Sequence, residues 1–238
     1  MLTVNYSGGG VYIVVGATSG IGRAVAEKLL NAGATVLAVG RNEKVLAELQ
    51  ALGMETAACD ITTGDISDIV SAFTKRHGKL SGAVYTAGIA GVTSLRFLDE
   101  KFAHTLMDVN FWGMVKFMQV ASKKQFATNG ASFVAISSVS HLRPKKSQLI
   151  YSATKAAVTA AIGVMAVERP NCRFNTISPG WVDTEMTDNY TEQTGVKAPT
   201  NYLLDRDEVA DLVLYLLSEE SRSITGSDYV IDKGLLLE

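Results

Sequence analysis

One stretch near the start of the chain limits its possible folds more than any other. The β-branched, apolar run Val11 to Val15 delivers the backbone directly into Gly16-Ala-Thr-Ser-Gly20-Ile-Gly22, and an amphipathic helix begins within that turn. A strand, a tight glycine turn and a helix in this order point the free N–H groups of the turn and of the first helical turn at one spot. That spot suits a negative group such as a pyrophosphate, although glycines also serve tight turns for steric reasons alone. The helix is expected over Gly20 to Asn31, with Ile21, Val25 and Leu29 on one stripe and Gly33 just past its end.

Six further short runs read as strands: Thr35 to Val39, Glu55 to Ala58, Gly82 to Thr86, Ser132 to Ser137, Arg173 to Ser178 and Asp228 to Ile231. Helical patterns separate them. One is expected over Glu43 to Leu52 behind the N-cap Asn42, a long one over roughly Asp99 to Ala127, and one from about Ile150 to Val167 that Pro170 ends. Strands alternating with helices imply an α/β fold, a doubly wound, seven-stranded parallel sheet with helices on both faces. The polar, turn-rich segment from Val182 to about Asp205 reads as the least regular part of the chain. It follows a strand's C-terminal end, where open parallel sheets bind ligands, so residues 183–205 are expected to form a substrate lid.

With 238 residues, 47% hydrophobic content and 4 prolines, the chain fits one domain over 1–238 better than two. Its 22 basic and 24 acidic residues nearly cancel, which argues against nucleic acid or an anionic membrane as partner and suits a small molecule. Cys59 and Cys172 are too few for a disulfide framework and have no neighbouring Cys or His at metal-ligand spacing, so no metal site is expected. The N-terminus shows no basic region ahead of its short apolar run, and a cytoplasmic protein with reduced thiols is expected.

The spacing of Gly16, Gly20 and Gly22 resembles the turn of the classical short-chain dehydrogenase/reductase family more than the commonest dinucleotide-binding fingerprint. The resemblance continues along residues 11 to 234: Asp60 after the third strand, Ala87-Gly88 after the fourth, Asn110 in the next helix, Ser138 after the fifth, Tyr151-x-x-x-Lys155, and Pro179-Gly180 after the sixth. It implies an NAD(P)-dependent oxidoreductase with Asn110, Ser138, Tyr151 and Lys155 as its catalytic residues. The implied cofactor contacts are Gly16, Thr18, Ser19, Gly20, Ile21 and Gly22 in the first turn and Arg41 after the second strand. Asp60, Ile61, Ala87 and Gly88 follow in the middle of the chain. Tyr151 and Lys155 contribute as well, with Pro179, Gly180, Val182 and Thr184 beyond them.

A four-residue Tyr–Lys spacing also occurs at Tyr229 and Lys233, but in an apparent strand, where four residues span about 13 Å and the side chains stand apart. Tyr151 and Lys155 lie on an expected helix, where the same spacing rises only about 6 Å and both share a face. There the ammonium is expected to lower the phenol's pKa, and the resemblance gives Tyr151 the proton transfer to substrate. It gives Lys155 a second role, a hydrogen bond to the nicotinamide ribose. Ser138 would hydrogen-bond the reacting oxygen, with Ser137 and Ser140 as neighbouring alternatives, and Asn110 would hold a water against Lys155.

Where NAD-binding folds place an acid for the ribose 2′-hydroxyl, this chain has Gly40 followed by Arg41, whose planar fork suits a 2′-phosphate. NADP(H) is therefore expected, with NAD(H) the alternative and a plain surface arginine the blander reading. Three positions depart from the family pattern: Thr86 stands for a usual Asn, Val15 for a frequent Thr, and Lys233 interrupts a usual Asp-Gly-Gly. Between Ser138 and Tyr151 lie His141, Arg143, Lys145 and Lys146, either a solvated loop over 141–146 or a reader of an anionic or carrier-bound substrate. Trp181 either packs on the cofactor or closes the core. The expected reaction interconverts a ketone and a secondary alcohol, as in carbonyl or 3-oxoacyl reductases, in a homodimer or homotetramer built from the long central helices. The competing readings are an epimerase or dehydratase of the extended relatives and a catalytically silent nucleotide-binding regulator or scaffold.

Overall fold

The computed structural model describes residues 9–238. The expectation about a leader segment concerns residues 1–8 and lies outside the described part, as does the start of the expected domain. Seven strands form one parallel sheet: β1 (Val11–Val15), β2 (Thr35–Gly40), β3 (Glu55–Ala58), β4 (Leu80–Tyr85), β5 (Ala127–Ile136), β6 (Arg173–Pro179) and, after two short strands described below, β9 (Asp228–Ile231). The sheet order is β3-β2-β1-β4-β5-β6-β9. Chain direction across the sheet reverses between β1 and β4, and a crevice opens there at the strands' C-terminal ends.

Two apolar layers hold the sheet. On one face, α1 (Gly20–Asn31), α2 (Glu43–Ala51) and α8 (Arg206–Leu217) bury residues such as Val25, Leu49 and Val213 against Val14, Val84 and Val134. On the other, α3 (Ile66–His77), α5 (Gly113–Ala121) and α6 (Leu149–Glu168) bury Phe73, Phe117 and Ile162 against Ile13, Tyr85 and Phe133. The alternation of strand faces thus feeds both layers, as a doubly wound sheet requires.

The expected helix from Asp99 to Ala127 is shorter and interrupted. Asp99 caps α4 (Glu100–Met107), a π-helical turn follows at Asp108–Trp112, and α5 ends at Ala121. Phe126 and Ala127, which continue the apolar pattern, belong to the sheet instead: Leu80 N–H donates to the Phe126 carbonyl at 2.7 Å and Ala127 pairs with Leu80. The wide turn disrupts the helical ladder, and the buried Tyr85 hydroxyl donates to the Val109 carbonyl at 2.5 Å.

The segment 182–205, read as irregular, contains regular structure. Trp181–Val182 (β7) pairs with Leu203–Leu204 (β8), and α7 (Glu185–Thr194) lies between them, closed by Gly195 in the left-handed region. Only Tyr190 of α7 is buried, so the helix carries no apolar stripe for a periodicity argument to find.

Among the described residues, α6 alone is long and apolar enough to cross a membrane by length and composition. One side of it packs along β6, while Ala153, Ala156, Ala160, Val164 and Val167 form an exposed apolar stripe. Tyr229 lies in β9 and Lys233 beyond its end, so the second Tyr–Lys match shares no helical face.

Candidate active site

The crevice between β1 and β4 is a cleft of about 520 Å³. Of the residues expected at the site, all line it except Asn110, which sits behind its wall. At one end, Gly16 takes φ +89, and a Cβ there would stand 2.5 Å from the Ala87 nitrogen. A Cβ on Gly22 would stand 2.2 Å from the Gly16 carbonyl oxygen, so both glycines are required by close packing of the turn on itself and on β4. Thr86 braces the same junction: its hydroxyl and its N–H both donate to the Val15 carbonyl at 2.8 Å. The departure from Asn at this position therefore retains a side-chain tie between β1 and β4.

Helix α1 starts without a side-chain cap and without an acid in its first turn, whereas α2, α3, α4 and α8 are capped by Asn42, Asp65, Asp99 and Asp205. Its first residues, Ser19 to Gly22, line the cleft, and Thr184 at the start of α7 stands against Gly20. Together with the glycine turn this arrangement fits the pyrophosphate of a dinucleotide.

Past β2, Gly40 packs against Thr18: a Cβ at position 40 would stand 2.5 Å from the Thr18 methyl. An acidic side chain there would have to displace Thr18. Arg41 is largely exposed at the rim, with its guanidinium 3.9 Å from the Asp60 carboxylate. Asp60 is occupied by its own turn, accepting from Thr62 N–H at 2.9 Å and Thr62 hydroxyl at 2.6 Å. These bonds, and secondarily Arg41, hold its carboxyl below the usual range.

Tyr151 and Lys155 share one face of α6, with the ammonium 5.7 Å from the centre of the phenol ring. The expected direction of the phenol's shift is overturned in the chain alone. Burial pushes Tyr151 up and outweighs the opposing influence of the Ser138 hydroxyl. Burial likewise pushes Lys155 down, to about 8, because the ammonium is removed from water; its bond to the Ile136 carbonyl at 2.9 Å works against that shift.

The three serines at the end of β5 separate by contact. Ser137 is structural, bonded to the Lys155 carbonyl at 3.0 Å and to Thr159. Ser138 lines the cleft together with Tyr151, and its hydroxyl accepts from Ser140 N–H at 3.2 Å. Ser140 is buried with no hydrogen-bond partner for its hydroxyl. Asn110, in the π turn, clasps Ile89 from both sides, accepting from its N–H at 2.8 Å and donating to its carbonyl at 3.0 Å. A Cβ on Gly88 would stand 3.4 Å from Asn110 Oδ1 and 3.6 Å from Lys155 Nζ, so glycine keeps the space between these groups open.

The basic loop is not four equivalent cations. His141 is tucked inward, with Nε2 3.0 Å from Asp228 and 3.1 Å from Ser178, and ties the Ser138 turn to β6 and β9. Lys146 is exposed and away from the cleft, while Arg143 and Lys145 line it. Trp181 also faces the cleft, between Lys145, whose ammonium lies 4.6 Å above its ring, and Tyr190 at 5.6 Å. Several lining residues were not singled out from the sequence: Gln148, Leu235, and Met186, Asn189 and Gln193 of α7. None belongs to a short motif, and only the return of distant segments to one wall reveals them.

Comparison with known proteins bears on this geometry. Residues 16–236 match the family described as enoyl-(acyl carrier protein) reductase. The chain is 30% identical over 242 residues to the 3-oxoacyl-(acyl-carrier-protein) reductase FabG of Thermotoga maritima, covering 96% of this chain and 98% of that one. It is 32% identical over 217 residues to an oxidoreductase of Staphylococcus epidermidis, covering 89% and 92%. A short-chain type dehydrogenase/reductase from Mycobacterium ulcerans superposes with a TM-score of 0.84 at 31% identity, covering 96% and 90%. The chain belongs to the classical short-chain dehydrogenase/reductase family. It is an oxidoreductase of that family with a nicotinamide dinucleotide cofactor.

Proposed function

We propose that this chain interconverts a ketone and a secondary alcohol using NADP(H), in the manner of a carbonyl or 3-oxoacyl reductase. The observation that carries the reading is the Ser138–Tyr151–Lys155 cluster, set inside the same cleft as the uncapped end of α1. The cofactor, when bound, supplies or accepts the hydride at the substrate carbon. Tyr151 gives its hydroxyl proton to the carbonyl oxygen in reduction and takes it back in oxidation, and Ser138 hydrogen-bonds the same oxygen. Lys155 holds positive charge beside the phenol and, with Asn110, flanks the open space at Gly88, where a water can pass protons. Thr18, Ser19, Ile21, Ile61, Ala87, Pro179, Gly180, Val182 and Thr184 are the proposed remaining cofactor contacts. α7 and its flanks form the proposed lid.

Tyr151→Phe tests the mechanism: NADPH oxidation with ketones should fall at least 100-fold while NADPH affinity stays within a few-fold. Turnover near that of the parent enzyme would overturn it. A silent scaffold would show no tyrosine-dependent turnover in the parent either.

The preference for NADP(H) rests on Arg41 at the rim and on Thr18 filling the place of an acid at position 40. Arg41→Ala should weaken NADPH by ~1 to 3 kcal/mol and leave NADH nearly unchanged, as calorimetric titration of both would show. Equal losses would assign Arg41 to the fold. The free thiols of Cys59 and Cys172 support a reducing, cytoplasmic setting. The exposed stripe on α6 supports a homodimer or homotetramer.

A further inference from the structure

We infer that the outer wall of the cleft is an anion subsite, in which Lys145 and Arg143 bind the carboxylate of a small oxo acid whose ketone lies at Tyr151. The inference rests on the reductase reading of the inner site and specifies its substrate class. Three independent features of the wall carry it.

The cations are held in place. Lys145 begins a tight turn closed by the Gln148 N–H bonding to its carbonyl at 3.2 Å, with Ser147 in the left-handed region at φ +66. A non-glycine residue pays for that conformation, and the turn is fixed from outside by Thr93, whose N–H donates to the Ser147 carbonyl at 2.7 Å. Arg143 is fixed from the opposite side, its guanidinium donating to the Leu235 carbonyl at 3.1 Å near the C-terminus.

The cations also lack a carboxylate partner, their contacts being the Trp181 ring, 4.6 Å from the Lys145 ammonium, and the Leu235 carbonyl bonded by Arg143. Among the described residues neither Arg143 nor Lys145 forms a salt bridge. The acid on the facing wall, Glu185 of α7, lines the cleft without pairing with either. Lys145 is pushed below the usual lysine range by loss of water around its ammonium and then by Arg143, as expected where two like charges wait for an anion.

Polar atoms beside the cations are orphaned. The Ser140 hydroxyl and the Gln148 Oε1 are buried with no hydrogen-bond partner, and both residues line the cleft. A buried acceptor left unmade costs about 1–3 kcal/mol, so these atoms fit a ligand that brings donors, such as hydroxyls between the ketone and the carboxylate. A purely apolar chain would leave them unsatisfied.

The test uses 3-, 4- and 5-oxo carboxylates of five to eight carbons, some hydroxylated, each paired with its methyl ester. NADPH oxidation gives kcat/KM, and calorimetric titration into the NADPH-bound protein gives binding separately. For the best chain length the acid should exceed its ester at least 10-fold in both measurements. That ratio should fall to near one in Arg143→Gln/Lys145→Gln, and added salt should lower it in the parent protein. Esters that match or exceed their acids at every length, or an acid advantage that survives in the double variant, overturn the subsite. Binding of acids over esters without turnover of any ketone upholds the subsite and overturns the reductase reading.

Discussion

Lys155 is buried with a single carbonyl as hydrogen-bond partner, and this has a consequence for stability that can be measured without substrate. Its value falls from 10.5 to about 8 on folding, so between these values the unfolded chain binds more protons than the folded one. Stability must then rise with pH across that window. The penalty is fully present below about 8 and gone above about 10.5. Lys155→Met should therefore stabilise the chain by ~1 to 3 kcal/mol at pH 7, the shift being worth about 3 kcal/mol less the lost bond to Ile136. The gain should vanish by about pH 10.5, as urea unfolding at the two values would show. A gain independent of pH would mean that packing, rather than charge, is responsible. At this scale the sequence revealed identities better than states. Tyr151 and Lys155 stood out by spacing, but the upward shift of the phenol comes from burial that no local pattern encodes. His141 read as one of four loop cations, whereas its partner Asp228 is 87 positions away.

At the scale of elements, the placement of the catalytic helix depends on a residue outside it. Gln148, the N-cap of α6, makes no side-chain cap bond. The buried Thr93 hydroxyl instead accepts from Ile150 N–H at 3.1 Å, one residue before Tyr151. Thr93→Val keeps the shape and removes the acceptor, and should cost ~1 to 2 kcal/mol in denaturant unfolding with a loss of kcat larger than the loss of NADPH affinity. An unchanged midpoint would show that water replaces the hydroxyl. The strands of the main sheet were legible to within two residues at most ends, except that β5 begins five residues early; the inner strands β1, β2, β4 and β6 are mostly buried runs, whereas the edge strands β3 and β9 are only partly buried and were read from their alternation with helices. Helices were legible where they bury a stripe, as α1 does with Val25 and Leu29. α7 exposes nearly everything and was hidden for that reason. Apolar continuity through Phe126 and Ala127 concealed the end of α5, since those two side chains serve the sheet.

For the whole molecule, the exposed stripe Ala153, Ala156, Ala160, Val164 and Val167 runs the length of a helix whose other side carries the site. Val164→Arg/Val167→Arg should convert the assembly to monomers by light scattering while leaving the far-ultraviolet circular dichroism unchanged. A parent protein that is already monomeric overturns the proposed assembly. The sheet order has a different implication, which concerns synthesis. β1 must wait for β4 to complete its other edge, and the Gly16 turn leans on Thr86, some seventy residues downstream by its bond to Val15. All three glycines of the turn therefore leave the ribosome long before the nucleotide cradle can exist. A nascent chain halted ahead of β4 carries the whole motif yet should not be retained on an immobilised dinucleotide, and one extended past Thr86 is the earliest that can complete the turn.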